Sequence, residues 1–332
     1  MSNVTSASSI VIEIQNASVQ LVRYFPMIML IFGTFGNILN VLIFTQKSLR
    51  SNSCANYFLA STIVDFVSLY FGYITRIFSS YNINPSTSTL AIYCKFRTYF
   101  TYVALSMSSW FTVLACCDRF ASSSQNVRIR SLSRVKIAKR AVCITVIIVS
   151  IIYGEMFYCF ETSVLSFNCL PKANACMLFN DFNLLITYSL LPPILMLSVG
   201  ILTIKNIRLI RRISPTSKAT STRIKIKDRQ LMVMLSVQVT CIALLSLPIS
   251  VQKIYSDLTL TWVKSVERQQ IENFLSTLVV LISLMNSSTS FYIYTLTGKV
   301  FRKELKRIVF YCLRKPIPLT ETTVTGATRY AH

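Results

Sequence analysis

The sequence predicts an all-α membrane protein: a seven-transmembrane helix bundle with a short amphipathic eighth helix. Three observations carry that prediction. The 332 residues are 53% hydrophobic and only 14% charged, whereas soluble domains carry about 25% charge. The charges are gathered into blocks. Between the blocks run seven windows almost free of charge, each near the roughly 20 residues a helix needs to cross a bilayer.

The windows fall in order along the chain. Residues 24–46 hold no charge, and 51–75 hold only Asp65. Residues 98–117 hold none and stop at Asp118-Arg119. The fourth, 141–160, is interrupted by Glu155, and 182–204, 230–252 and 273–298 hold none. These windows do not alternate as barrel strands do, so helices are the expected spans. The competing reading is a soluble protein with seven buried helices. One core cannot hide seven such rods without amphipathic partners to cover them. After the last window, "GKVFRKELKRIVFYC" sets Val300, Phe301, Leu305, Ile308 and Val309 on one face and Lys299, Arg302, Lys303, Lys306 and Arg307 around the other. That pattern suits a helix lying in the membrane interface. The organisation is thus an extracellular tail (1–22), the seven-span bundle (23–297), the amphipathic helix (298–312) and a cytoplasmic tail (313–332).

The formal net charge of +22 suggests nucleic acid at first sight, but its distribution makes that the poorer explanation. With the N-terminus outside, the three inner loops and the tail carry two, seven, nine and eight basic residues. The outer segments share the remaining eight of the 34. Basic residues accumulate on the cytoplasmic side of membrane proteins, and they sit well against an anionic inner leaflet. The expectation is a multi-pass plasma-membrane protein with its N-terminus outside, its C-terminus inside and the lipid bilayer as surroundings. Residues 1–22 lack the basic and apolar regions of a cleavable signal peptide. Asn3 in "NVT" and Asn16 in "NAS" are glycosylation acceptors on that outer segment. "NSS" at Asn286 falls inside a span and is out of reach.

The ten cysteines do not form a dense disulfide framework. Cys116, Cys117, Cys143 and Cys241 lie in spans, where thiols pack as small apolar groups. Cys94, Cys159, Cys169 and Cys176 lie at outer ends or loops, where oxidation is available. Cys312, beside the amphipathic helix, is a candidate for palmitoylation. The only histidine is His332, which removes a histidine-based metal site and a Ser-His-Asp triad from consideration. No catalytic residues, metal ligands or cofactor are expected, and the chain is read as a non-enzyme.

Several motifs stand in order, each in its own span: "GNILN" with Gly36-Asn37, "LASTIVD" ending in Asp65, "DRF" closing the third span 25 residues after Cys94, Pro248 in "LLSLP", and "NSSTSFYIY" ending at Tyr294 before Phe301-Arg302. The ordered set resembles the rhodopsin-like G-protein-coupled receptors over about residues 22–312. The seventh-span form looks like that of invertebrate FMRFamide- and neuropeptide-type receptors. The resemblance implies an extracellular ligand, a peptide by family likeness, and activation of a heterotrimeric G protein. It implies that Asp118, Arg119, Asp228 and Tyr294 form the coupling switch, with Arg119 reaching Asp228 at rest. It implies a bond from Cys94 to Cys169, with Cys176 as the alternative, and hinges at Pro192, Pro193 and Pro248, where proline frees a carbonyl. By residue chemistry alone, Arg119 is a snorkelling cation at the membrane face.

Asp65 is a lone carboxylate deep in a span, so it needs a proton or partners. Asn37, Ser108, Asn286 and Ser290 match family positions around it. The reading is a polar network joining spans one, two and seven, with a sodium ion as the alternative occupant. The sequence departs from the family in lacking tryptophan in spans four and six, where Ser246 stands two residues before Pro248, and in carrying Ser290-Phe291 for Asn-Pro. Tyr73, Tyr99, Tyr102 and Gln252 are candidate pocket residues, with helix packing as their ordinary role. Other functions remain open. A chemosensory receptor shares the same fold. A membrane transporter or channel wants paired charges at midplane depth, and an intramembrane hydrolase wants a second deep carboxylate or a histidine.

Overall fold

The computed structural model describes residues 2–81, 87–162, 169–172, 174–213 and 220–314. Seven helices are long and apolar enough to cross a membrane: Val11–Phe44, Ser53–Ser80, Leu90–Ser122, Val135–Cys159, Ala175–Leu209, Val233–Leu258 and Val266–Thr297. They are numbered here as spans one to seven, and each overlaps one charge-free window. An eighth helix, Lys299–Arg314, follows directly. The fold is therefore the expected seven-helix bundle of a multi-pass membrane protein.

Lipid as the solvent explains which faces are apolar. On span four, Ile144, Ile147, Ile148 and Ile151 form an i, i+3, i+4, i+7 stripe, and all four are exposed. A soluble protein does not expose such a stripe without a partner. Span three is the most enclosed and packs on spans two, four, five and six. Its buried face is built from small residues, among them Ala104, Ser106, Ser108, Ser109, Thr112 and Ala115. Small side chains let neighbouring backbones approach closely where lipid offers no hydrophobic drive.

Local sequence sets the ends. Asn52 caps span two by accepting a bond from the Cys54 amide at 3.0 Å, and Ser265 caps span seven through Arg268 N–H. Both satisfy amides that a helix start leaves without partners. The first helix runs from Ser2 to Phe44 with Pro26 inside it. Residues 2–25 contain neither glycine nor proline, so nothing in the predicted 1–22 tail ends the helix.

Two spans contain wide π-turns, Tyr70–Ile74 in span two and Leu185–Leu190 in span five. At the first, Gly72 meets span seven so closely that a Cβ there would fall 2.7 Å from Leu284 Cδ2. Span four contains a 3₁₀ turn, Tyr153–Glu155, at the residue that interrupts its apolar window.

A small antiparallel hairpin closes one end of the bundle. Strand β1 is Phe160–Thr162 and strand β2 is Cys169–Pro171, with Thr162 opposite Cys169. Two disulfides hold it, Cys94–Cys169 and Cys159–Cys176. Cys176 thus belongs to Cys159, and the alternative pairing of Cys176 with Cys94 is corrected.

Candidate functional site

The candidate site is a column that runs from the hairpin end of the bundle to the Asp118-Arg119 end. At the Asp118-Arg119 end, both side chains are buried, at 3% and 6% exposure. Arg119 Nη2 donates to Asp118 Oδ2 and, at 3.1 Å, to Asn52 Oδ1. Ser133 Oγ donates to Asp118 Oδ1 at 2.8 Å and lies 3.0 Å from Ser53 Oγ. The arginine therefore does not snorkel to water. A buried charge stays charged only with such partners. Asn52 and Ser133 were not expected here. The signal for Asn52 was its position before an apolar run, which marks a cap and not a second partner. The side chain of Asp228 lies outside the described residues.

One layer further in, Tyr294 is fully buried and its ring lies 5.0 Å from Phe58, 5.7 Å from Phe44 and 5.9 Å from Phe301. Its hydroxyl donates to Gln238 Oε1 at 2.8 Å, and Gln238 Nε2 lies 3.5 Å from Thr112 Oγ1. This links spans seven, six and three. A cavity of 180 Å³ adjoins Arg119, lined by residues of spans three, five and six such as Met196, Ile204, Leu235 and Val239.

The middle layer holds the predicted polar residues. Ser290 Oγ donates to Asp65 Oδ2 at 3.1 Å. Asn37 Nδ2 donates to the Ser287 carbonyl at 3.1 Å, and Ser287 Oγ donates to Ser68 Oγ at 3.0 Å. Ser108 Oγ pairs with Ser61 Oγ at 2.9 Å. Asn286 is buried and contributes its carbonyl, 3.4 Å from Ser290 Oγ. Asp65 Oδ1 is buried without a hydrogen-bond partner. One free carboxylate oxygen among serine hydroxyls fits a proton or a hard cation in donor type. Among the described residues, no three His, Cys, Asp or Glu side chains converge on a metal position.

The span-five prolines have a specific consequence. Pro192 has no N–H, so the Thr187 carbonyl five residues earlier loses its π-turn donor, while the Leu191 amide bonds to the Ile186 carbonyl. Trp110 of span three supplies the missing bond, Nε1 to Thr187 O at 3.0 Å. Beside it, Tyr153 OH bridges Ser106 Oγ at 2.6 Å and Thr187 Oγ1 at 2.7 Å, joining spans three, four and five. Ser189 Oγ reaches Ser246 O and Ser250 Oγ in span six, at 2.8 and 2.6 Å, around Pro248.

At the hairpin end lies a cavity of 530 Å³, within the roughly 300–1,000 Å³ typical of small-ligand pockets. Cys169 and Pro171 of the hairpin form part of its wall, and Gly72, Leu105 and Leu284 lie in its lining. Its charged lining residues are Arg76, Arg97, Lys253, Asp181 and Asp257. Lys253 Nζ bonds to Asp181 Oδ1 at 2.6 Å and lies 5.9 Å from the centre of the Tyr102 ring. Of the four predicted pocket residues, only Tyr102 lines this cavity. Tyr73 is wholly buried, and Tyr99 packs on Phe157 with ring centres 4.7 Å apart. Asn16 is exposed on the first helix. The side chains of Asn3 and Cys312 lie outside the described residues.

No family model matches the chain, and no curated protein matches its sequence.

Proposed function

We propose that the chain is a rhodopsin-like G-protein-coupled receptor that binds an extracellular ligand, a short peptide by resemblance, and activates a heterotrimeric G protein. One observation carries the reading: a ligand-sized cavity sits at one end of a seven-span bundle, and a buried Asp118-Arg119 pair beside a second cavity sits at the other. Between them, spans three, six and seven are joined by single hydrogen bonds through Gln238. Such bonds exchange at small cost, and two packings a few kcal/mol apart suffice for a switch. Ligand binding under the hairpin would shift span six through the Ser189–Ser246–Ser250 contact at its proline. Movement of span six would break Tyr294–Gln238 and widen the cavity beside Arg119, where a G-protein segment would dock. The hairpin end would then face outward, and the basic loops inward, across the plasma membrane. Asp65 would carry a proton or sodium ion at rest.

The test is nucleotide exchange on G protein in membranes holding the full chain, with a pool of short free-acid and amidated peptides. Exchange is expected to rise with peptide and to be lost in Arg119→Ala. Exchange that persists undiminished in that variant would sink the coupling role of Arg119. The second reading, a transporter, draws on the same pair of cavities at opposite ends. Solute flux into proteoliposomes without any G protein would favour it.

A further inference from the structure

Arg76 and Arg97 stand out among the polar groups of the hairpin-end cavity. Arg76 comes from span two, just after its π-turn, and Arg97 from span three, one turn past Cys94. Both are partly buried, and they lie close enough for their like charges to repel. Neither guanidinium is hydrogen-bonded or ion-paired to a carboxylate in the described structure, and Arg76 Nε is buried without any partner. Neither lining carboxylate pairs with them. Asp181 accepts from Lys253 and, at 2.8 Å, from Asn180 Nδ2. Asp257 also lines the cavity; both its carboxylate oxygens are buried without a hydrogen-bond partner, and it forms no ion pair with either arginine.

Two partly buried guanidiniums that line one cavity repel each other and lose hydration. Each raises the free energy of the empty state unless an anion lies between them. A guanidinium offers a planar fork that matches a carboxylate with two parallel hydrogen bonds. We propose that the hairpin-end cavity selects a ligand with a carboxylate, seated between Arg76 and Arg97. This rests on the receptor reading only in taking the cavity as a ligand site. Within the peptide class, it favours a free acid over the amide. The disulfide to Cys169 fixes the start of span three, and so it fixes where Arg97 presents its fork.

The test uses the full-length chain in nanodiscs of neutral lipid, titrated by calorimetry with three probes. N-acetylphenylalanine carries the carboxylate, its carboxamide has the same shape without charge, and benzyl phosphate carries a different oxyanion. The carboxylate is expected to bind about tenfold or more tighter than the amide, the scale of a charge-assisted hydrogen bond. Arg76→Gln and Arg97→Gln should each erase that preference, and Arg97→Lys should keep part of it. The wild-type comparison stands even if a glutamine variant fails to fold. Equal binding of acid and amide overturns the proposal. So does no acid binding up to about 10 mM, ten times the Kd of a millimolar fragment. Tighter binding of benzyl phosphate, or a preference that survives both glutamine variants, overturns it as well. No G protein enters this readout. A chain that prefers the acid but drives no nucleotide exchange with any peptide fails the receptor reading and keeps this one.

Discussion

The two ends of the bundle are held together by different kinds of force. At the hairpin end, two disulfides clamp a short hairpin above an open cavity whose two arginines form no ion pair among the described residues. At the Asp118-Arg119 end, no disulfide is present among the described residues. Cohesion there comes from buried hydrogen bonds and from the ring cluster of Phe44, Phe58, Tyr294 and Phe301. A covalent frame keeps its shape while empty. Hydrogen-bonded and packed contacts have alternatives a few kcal/mol away. The contrast assigns rigidity to the end that would select a ligand and adaptability to the end that would rearrange.

Removing the clamps should have the largest effect. The Cys94–Cys169 bond spans 75 residues and the Cys159–Cys176 bond spans 17. Chain-entropy arithmetic gives about 4.5 and about 3 kcal/mol for loops of those lengths. Both are upper bounds, because inserted spans already restrict the unfolded chain. Cys94→Ser with Cys169→Ser should therefore lower the thermal midpoint more than Cys159→Ser with Cys176→Ser. Hydrogen exchange should quicken at 160–162 and 169–171 and stay slow around Tyr294. Equal quickening at both ends would break the contrast.

The opposite end can be loosened by a single atom. Tyr294→Phe keeps the ring cluster and removes the donor to Gln238 Oε1. Leaving that buried amide oxygen without its donor costs about 1–3 kcal/mol. The thermal midpoint should fall, though less than on loss of the long disulfide. Adding Gln238→Leu to Tyr294→Phe should recover much of the loss, since removing both polar partners is far cheaper than removing one. If the double variant is no more stable than Tyr294→Phe alone, the bond is not what holds spans six and seven together.

The seven spans were legible in the sequence because crossing a bilayer is a one-dimensional demand. Length and absence of charge suffice, and 98–117 ending at Asp118 is a clear case. The eighth helix was legible for a similar reason, through its periodicity. The pairing of side chains across helices was not. Gln238 is one polar residue in an apolar window, and its partner Tyr294 depends on the rotation of two helices about their axes. Arg76 and Arg97 lie where basic residues ordinarily snorkel to water, so the sequence gives no reason to turn them inward. The π-turns in spans two and five rotate everything that follows them. They leave no reliable mark in composition beyond Pro192-Pro193. Cys159–Cys176 was missed because four outer cysteines allow three pairings, and spacing alone does not choose among them.

The smallest expected effect separates covalent from electrostatic explanations of the hairpin's rigidity. Lys172 Nζ lies 2.7 Å from Glu161 Oε1 across the hairpin and 5.2 Å from the centre of the Tyr158 ring. Both charged groups are largely in water, where salt and solvent screen such a pair. The hydrogen bond to Glu161 raises the Lys172 ammonium above its ordinary pKa of 10.5. A raised folded-state pKa gives stability that is complete below the ordinary value and lost as pH climbs through the raised one. Near neutral pH the lysine is charged whether folded or not, so the pair brings no pH dependence there. Lys172→Ala should leave the thermal midpoint unchanged within error, and flat between about pH 6 and 8. A fall as large as that from losing the Cys94–Cys169 bond would mean that charge, and not the disulfide, holds the hairpin over the cavity.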